Sequence, residues 1–264
     1  PGGGFIGNFA TIEFDKGRLQ AINVEDVYTI DGQLKEAIEP PPQIKEILGT
    51  QNYYLRDSNW SGDFDQNAKT VKDFFKKETG KDVDGVIAID LTLVQNILAK
   101  LGPSTLTDYN ADITADNLFE KGEYYSEVGF FPGSTQKKDF FGALTRTMIS
   151  KITESLKKED EIKNSSLPWL ALIEGATEGL PQKHLMLTFD DLSLASFVKT
   201  KGWNHPLPPL NFDPANDTGQ TKDFIALVEA NLGANKVNRF IERSINYEMT
   251  IGKEADLIGK LTIT

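Results

Sequence analysis

The sequence contains no cysteine. That excludes disulfides, a thiolate zinc site and a cysteine nucleophile. It has only two histidines, His184 and His205, and they lack the close spacing of metal ligands. His184 opens an apolar strand and reads as a structural or sheet-edge residue. His205, between Asn204 and Pro206, reads as a loop residue. No run of five Lys or Arg occurs, and the formal net charge is −11. Such a field repels phosphate backbones, which argues against a nucleic-acid partner. No apolar stretch approaches the roughly 18 residues that cross a membrane, and no signal-peptide pattern is present. No G-x-S-x-G elbow supports a serine hydrolase. Gly2, Gly3, Gly4 and Gly7 follow no strand and precede no Lys-Ser or Lys-Thr, so they fail the context of a phosphate loop. They read instead as a close approach of the first strand to another backbone or a ligand.

What is present is an ordinary globular composition. The chain has 264 residues, 39% hydrophobic and 25% charged, enough to bury a sizeable core without staples. The first residues, Pro1-Gly2-Gly3-Gly4-Phe5, run straight into an apolar alternation. The last, Leu261 to Thr264, read as a strand cut at its end, so a fragment of a longer chain is expected.

Alternation over Phe5–Phe14 and Leu19–Val24 around Asp15-Lys16-Gly17 predicts a hairpin. Three prolines, Pro40–Pro42, predict an extended connector. Arg56 to Phe64 reads as a polar, aromatic loop. Helical spacing of Ala68, Val71, Phe74 and Phe75 predicts a helix over Asp65–Glu78, stopped at Gly80. The apolar run Val83–Asp90 predicts a buried central strand carrying Val86, Ile87 and Ile89. A helix over Leu91–Leu101 and a short strand at Ser104–Thr107 would complete a βαβ unit. Thr114 is expected as the N-cap of the next helix.

Phe140–Leu156 is the longest amphipathic pattern, with Leu144, Met148, Ile152 and Leu156 on one stripe. A charged break follows over Lys157–Asn164. Further elements are expected as a helix at Leu167–Glu178, a strand at Lys183–Phe189 and a helix at Asp190–Val198. Gly202–Gly219 reads as the longest loop. Strands are expected at Phe224–Ala230, Arg243–Ile251 and Ala255–Thr264. The alternation of strands and helices predicts one three-layer α/β/α domain over residues 1–264, with a central mixed sheet.

Several residues carry candidate chemistry. An Arg on a loop, Arg56, presents a planar fork suited to phosphate, and the adjacent Asp57 suits a divalent metal or orients that fork. From spacing alone the pair reads more readily as a loop ion pair or an Asx-turn. Lys137 and Lys138 open the long helix, where free N–H groups attract an anion. On their own they read more readily as a solvated basic pair beside Asp139. Asp84 and Asp90 flank the expected core strand, where α/β folds often carry sites. Turn and cap roles suit them as well.

Six motifs in order, PGGGFIGNFATIEFDKGRL, VEDVY, RDSNWSGDF, VDGVIAIDLTLVQNILAKLGP, ITADN and EANLGANK, resemble the bacterial family called domain of unknown function 4012. The resemblance implies an extracytoplasmic domain held at the cell membrane by a transmembrane helix upstream of Pro1. That family in turn is similar to the LytR-CpsA-Psr proteins, which attach glycopolymers from polyprenyl-diphosphate carriers to the cell wall. By that resemblance Arg56 and Asp57 match an Arg-Asp loop motif and would act in catalysis, with Asp57 on magnesium. Lys137 and Lys138 would bind the substrate diphosphate, with Lys in place of Arg. A lipid-linked glycan or cell-wall polymer is the implied partner. The pattern also departs from that family. Gly3, Gly4, Phe5 and Asn8 stand where it has Asp and Arg, and Lys lacks the bidentate fork. Two readings therefore stand: a diphosphate-dependent transferase, or a non-catalytic envelope domain that binds glycan or protein and keeps the fold.

Overall fold

The computed structural model describes residues 4–127, 136–157, 168–207, 225–230, 241–252 and 257–264. They fall into two units, 1–230 and 231–264.

The first unit opens with the expected hairpin, β1 (Asn8–Asp15) against β2 (Arg18–Asp26). Lys16 and Gly17 both take positive φ, +49° and +76°, the twist that a tight two-residue turn requires. Helix α1 (Val27–Asp31) follows at once. The Asp26 side chain accepts from the Tyr28 N–H and caps it. Helix α2 (Pro42–Leu48) starts on the last of the three prolines, whose missing N–H costs nothing at a first helical position.

A single tight helical turn, Leu55–Asp57, precedes α3 (Phe64–Thr79). Asp63 caps α3 through the Asp65 and Gln66 amides, and Gly80 closes it at φ +75°. Strand β3 (Gly85–Ile89) and α4 (Leu91–Leu101) come next, α4 capped by the Asp90 side chain on the Leu93 N–H. Strands β4 (Ser104–Leu106) and β5 (Ala111–Ile113) form a small hairpin. Helix α5 (Leu118–Glu127) begins four residues after Thr114. The Thr114 hydroxyl accepts instead from the Asn117 N–H in a turn ahead of the helix. The unit continues with α6 (Gln136–Lys157), α7 (Pro168–Gly179), β6 (Leu185–Phe189) and α8 (Leu192–Lys201).

The sheet expectations need correction. The described strands pair as four two-stranded antiparallel ladders rather than one mixed sheet. Among the described residues β3 pairs only with β6, Ile87 opposite Leu187, and β4 pairs with β5, so β3, α4 and β4 do not form the expected parallel βαβ unit. Residues 225–230 join no ladder. Ile87 and Ile89 are more than half exposed, at 51% and 58%. The run Val83–Asp90 is thus an edge strand among the described residues. Its apolar composition reports two faces, and each has a different fate.

Those two faces organise the first unit. Val86, Ala88 and Met186 turn to Phe64 and Ala68 of α3. Leu185 and Leu187 turn the other way, into the main core with α4, α6 and α7. Helices thus flank the ladder on both sides, with two strands as the middle layer. The main core gathers Leu93, Ile97, Leu98 and Leu101 of α4 with Phe140, Leu144 and Met148 of α6. The helix-face expectation for Phe74, Leu98, Leu144 and Met148 holds, since all four are buried. Phe140 stacks on Tyr125 at 5.2 Å and meets Tyr109 edge-on at 5.3 Å. The second unit carries the hairpin β7 (Ile245–Ile251) with β8 (Leu257–Ile263).

Candidate functional site

The Arg56 loop is held by its own backbone and by three neighbours in space. The Ser58 N–H and hydroxyl both donate to the Leu55 carbonyl, at 3.0 and 2.7 Å, which closes the turn. The Arg56 carbonyl accepts from the Ile6 N–H at 2.9 Å, tying the turn to the segment before β1. These bonds fix where the side chain of Arg56 emerges.

That side chain turns inward. Its Nη1 donates to Asp31 Oδ2 at 2.9 Å, and its backbone N–H faces Asp31 Oδ1 at 3.4 Å. The guanidinium lies over the Tyr54 ring, 4.2 Å from its centroid, and 5.5 Å from that of Tyr28. The guanidinium is thus held by one charged hydrogen bond and by ring stacking, both supplied by the protein itself. Asp57 is buried, with one oxygen 3.7 Å from Arg56 Nε. Burial, reinforced by the Asp31 charge and opposed by Arg56, pushes its carboxyl up to about 6. Glu78, at the end of α3, is also buried, 4% exposed. Its Oε1 accepts from the Leu55 N–H at 3.4 Å, and its Oε2 has no hydrogen-bond partner. Burial and the nearby Asp31 push it up to about 7. Burial also raises Asp31, against the pull of Arg56.

Three enclosed carboxylates thus surround one guanidinium. The sequence pointed to Arg56 and Asp57 but missed Asp31, Glu78 and the two tyrosines. One signal was legible. The apolar stripe of α3 runs Ala68, Val71, Phe74 and Phe75, and its next position is Glu78. A charge on a buried stripe requires a partner.

Lys137 and Lys138 fall in the first turn of α6, but their side chains lie outside the described residues. The expected convergence of Lys137 and Lys138 with Arg56 on one diphosphate therefore also lies outside the described residues. Among the described residues no group of three or more His, Asp or Glu is arranged to hold a metal, and no helix is long and apolar enough to cross a membrane.

Beside the loop lies an open depression of about 770 Å³, lined by Pro40, Pro41, Pro42 and Tyr53, with Glu39, Lys45 and Glu46 at its rim. Lys45 and Glu39 pair across that rim at 2.6 Å. Tyr53 is pinned edge-on to Phe74 at 5.0 Å. Burial and the Asp57 charge push its phenol up to about 12.

Away from this loop, His184 Nδ1 meets Asp90 Oδ2 at 2.7 Å, while Asp90 Oδ1 caps α4. Both residues serve the end of the β3–β6 ladder, as the structural reading expected. His205 sits at φ +45°, with Nε2 2.6 Å from the Leu180 carbonyl.

Residues 1–124 match the model of a family described as protein of unknown function, DUF4012. The match supports the resemblance over the first five of the six motifs, and it runs from β1 into α5, the Arg56 loop included. No curated protein and no solved structure matches the chain.

Proposed function

We propose that this chain is the extracytoplasmic part of a cell-envelope protein and that it binds glycan or protein without catalysing transfer. On this reading it shares the layered α/β architecture of the LytR-CpsA-Psr proteins but lacks their diphosphate chemistry, and a membrane segment upstream of Pro1 anchors it. The observation that carries the reading is the engagement of Arg56. A guanidinium already bonded to Asp31 and stacked on Tyr54 is held by the protein itself, so an incoming phosphate has to compete with Asp31 for it. The carboxylates of Asp31 and Asp57, 2.9 and 3.7 Å from the guanidinium nitrogens, are acidic neighbours that oppose a dianion. Asp57, 7% exposed, offers little open oxygen to magnesium. Tyr28, half exposed over Arg56, offers the kind of amphipathic ring that binding surfaces favour.

The transferase reading keeps one supporting observation. The apolar depression walled by Pro40–Pro42 and Tyr53 lies beside the same loop and would suit a prenyl chain. Calorimetric titration separates the two readings. Wild type and Arg56→Ala are each titrated with a soluble prenyl diphosphate, with and without Mg²⁺, and separately with cell-wall glycan fragments. The binding reading expects no diphosphate signal from either protein. Diphosphate binding by the wild type that is lost in Arg56→Ala would restore the transferase reading.

A further inference from the structure

The Arg56 cluster has an imbalance that neither functional reading uses. Glu78 is the acidic side chain at the junction of three elements. From α1 it faces Asp31, and from the Leu55–Asp57 turn it faces Arg56 and the Leu55 N–H. Asp57 sits on the same turn, and Tyr53 lies just before it. On its own helix, Lys77 pairs with Glu36 at 2.6 Å and Lys76 with Asp82 at 2.9 Å, and both pairs are exposed. Arg56 is the cation in the cluster, and its hydrogen bond goes to Asp31. An ionised Glu78 would therefore be a buried charge with one long hydrogen bond and one orphaned oxygen. Such a charge is far costlier to bury than the neutral acid.

We propose that Glu78 is the proton-carrying member of a pH-operated latch, which holds the end of α3 against α1 and the Leu55–Asp57 turn when protonated and loosens that junction when it ionises. The parts that would move are fixed by the contacts. The turn carries the Ile6-to-Arg56 backbone bond, and α1 carries the Val27-to-Gly7 bond at 3.1 Å. Both bonds anchor the segment that leads into the N-terminal hairpin. Tyr53 lines the Pro40–Pro42 depression and packs on Phe74 of α3. Release of the turn would therefore reach the wall of that depression.

The direction follows from linkage. Glu78 is raised in the fold, from an unfolded value of 4.5 to about 7. Its contribution to stability is complete below the unfolded value and disappears as pH rises through about 7. Asp57, raised to about 6, adds to the same loss at slightly lower pH. The two titrations are linked through Asp31.

Amide exchange tests the latch in wild type and Glu78→Gln, whose neutral amide mimics the protonated acid. At about pH 5 the two proteins should protect the Leu55–Ser58 amides alike. At about pH 8.5 the wild type should exchange there roughly tenfold faster than the variant or more, and it should unfold at lower urea. Equal exchange at both pH values would overturn the proposal. A variant less protected than wild type at both would also overturn it, since Glu78 would then be a needed anion. If Glu78→Gln does not fold, carbon-13 NMR of the wild-type side-chain carboxyls decides. A Glu78 titration near 7 supports the latch, and one near the ordinary 4.5 refutes it.

Discussion

The approach of α7 to α4 gives the sharpest test of the packing. Gly175 lies in the middle of α7, where an exposed glycine would be improved by alanine by about 1 kcal/mol. Here a Cβ at residue 175 would fall 2.6 Å from Ile97 Cγ1 and 3.7 Å from Ile97 Cα. Carbon atoms rest at roughly 3.5–4.0 Å, so α7 must withdraw by about 1 Å or Ile97 must leave its rotamer. The second escape is poor, because a β-branched side chain in a helix has one strongly preferred rotamer. Overpacking of this kind costs about 1–3 kcal/mol. Against the propensity gain, Gly175→Ala should destabilise by about 0–2 kcal/mol.

Gly179, one turn on, behaves differently. Its Cβ would meet Leu93 Cδ1 at 2.6 Å, the mobile tip of a flexible side chain. Gly179→Ala should therefore sit near zero. Urea denaturation of the two variants reads both values. Truncating Ile97 to Ala should remove the obstacle and expose a coupling of about 1 kcal/mol or more with Gly175→Ala. A Gly175→Ala protein more stable than wild type, or a double variant that is simply additive, would refute the close α4–α7 contact.

Other outcomes follow from single contacts. Leu144→Ala removes a side chain that is 1% exposed in the main core and should cost about 2–5 kcal/mol; an unchanged urea midpoint would show the register of α6 to be wrong. Gly85→Ala would place a Cβ 2.6 Å from the Thr188 carbonyl oxygen and 2.5 Å from Phe189 Cδ1. The backbone cannot give way there, so loss of near-UV circular dichroism is expected, and a native spectrum would count against the β3–β6 register. Asp31→Asn removes the carboxylate that accepts the Arg56 Nη1 bond and should lower stability by about 1.5–3 kcal/mol, read by thermal denaturation; an unchanged melting point would show that charged bond to be dispensable.

How much of this was legible in the sequence depends on the range of the interaction. The first hairpin, α3, α4, α6 and α8 announced themselves through turn residues, caps and apolar periodicity, all set within a few residues. Gly80 after α3 illustrates this, since its N–H donates to the Lys76 carbonyl one turn back. Burial of Phe74, Leu98, Leu144 and Met148 could be read from the stripes they occupy.

Strand partners could not be read in this way. The run Val83–Asp90 looked central because its middle, Val86 to Ile89, is continuously apolar. Which strands line up beside it depends on pairing with Leu185–Phe189, about a hundred residues later. The strand's alternation has no way to record that.

The site divides along the same line. Arg56 and Asp57 could be singled out from residue type and loop position, because an Arg-Asp pair on a polar loop is a local feature. That Asp31 would take the Arg56 fork, and that Glu78 would close the cluster from beneath, depended on α1 and α3 meeting the turn. Sequence set the chemistry available at Arg56, whereas tertiary structure decided whether that chemistry faces a ligand or the protein's own carboxylates. The physical reason is that charge is carried by one residue, but the cost of burying it is set by every neighbour the fold brings within a few ångströms.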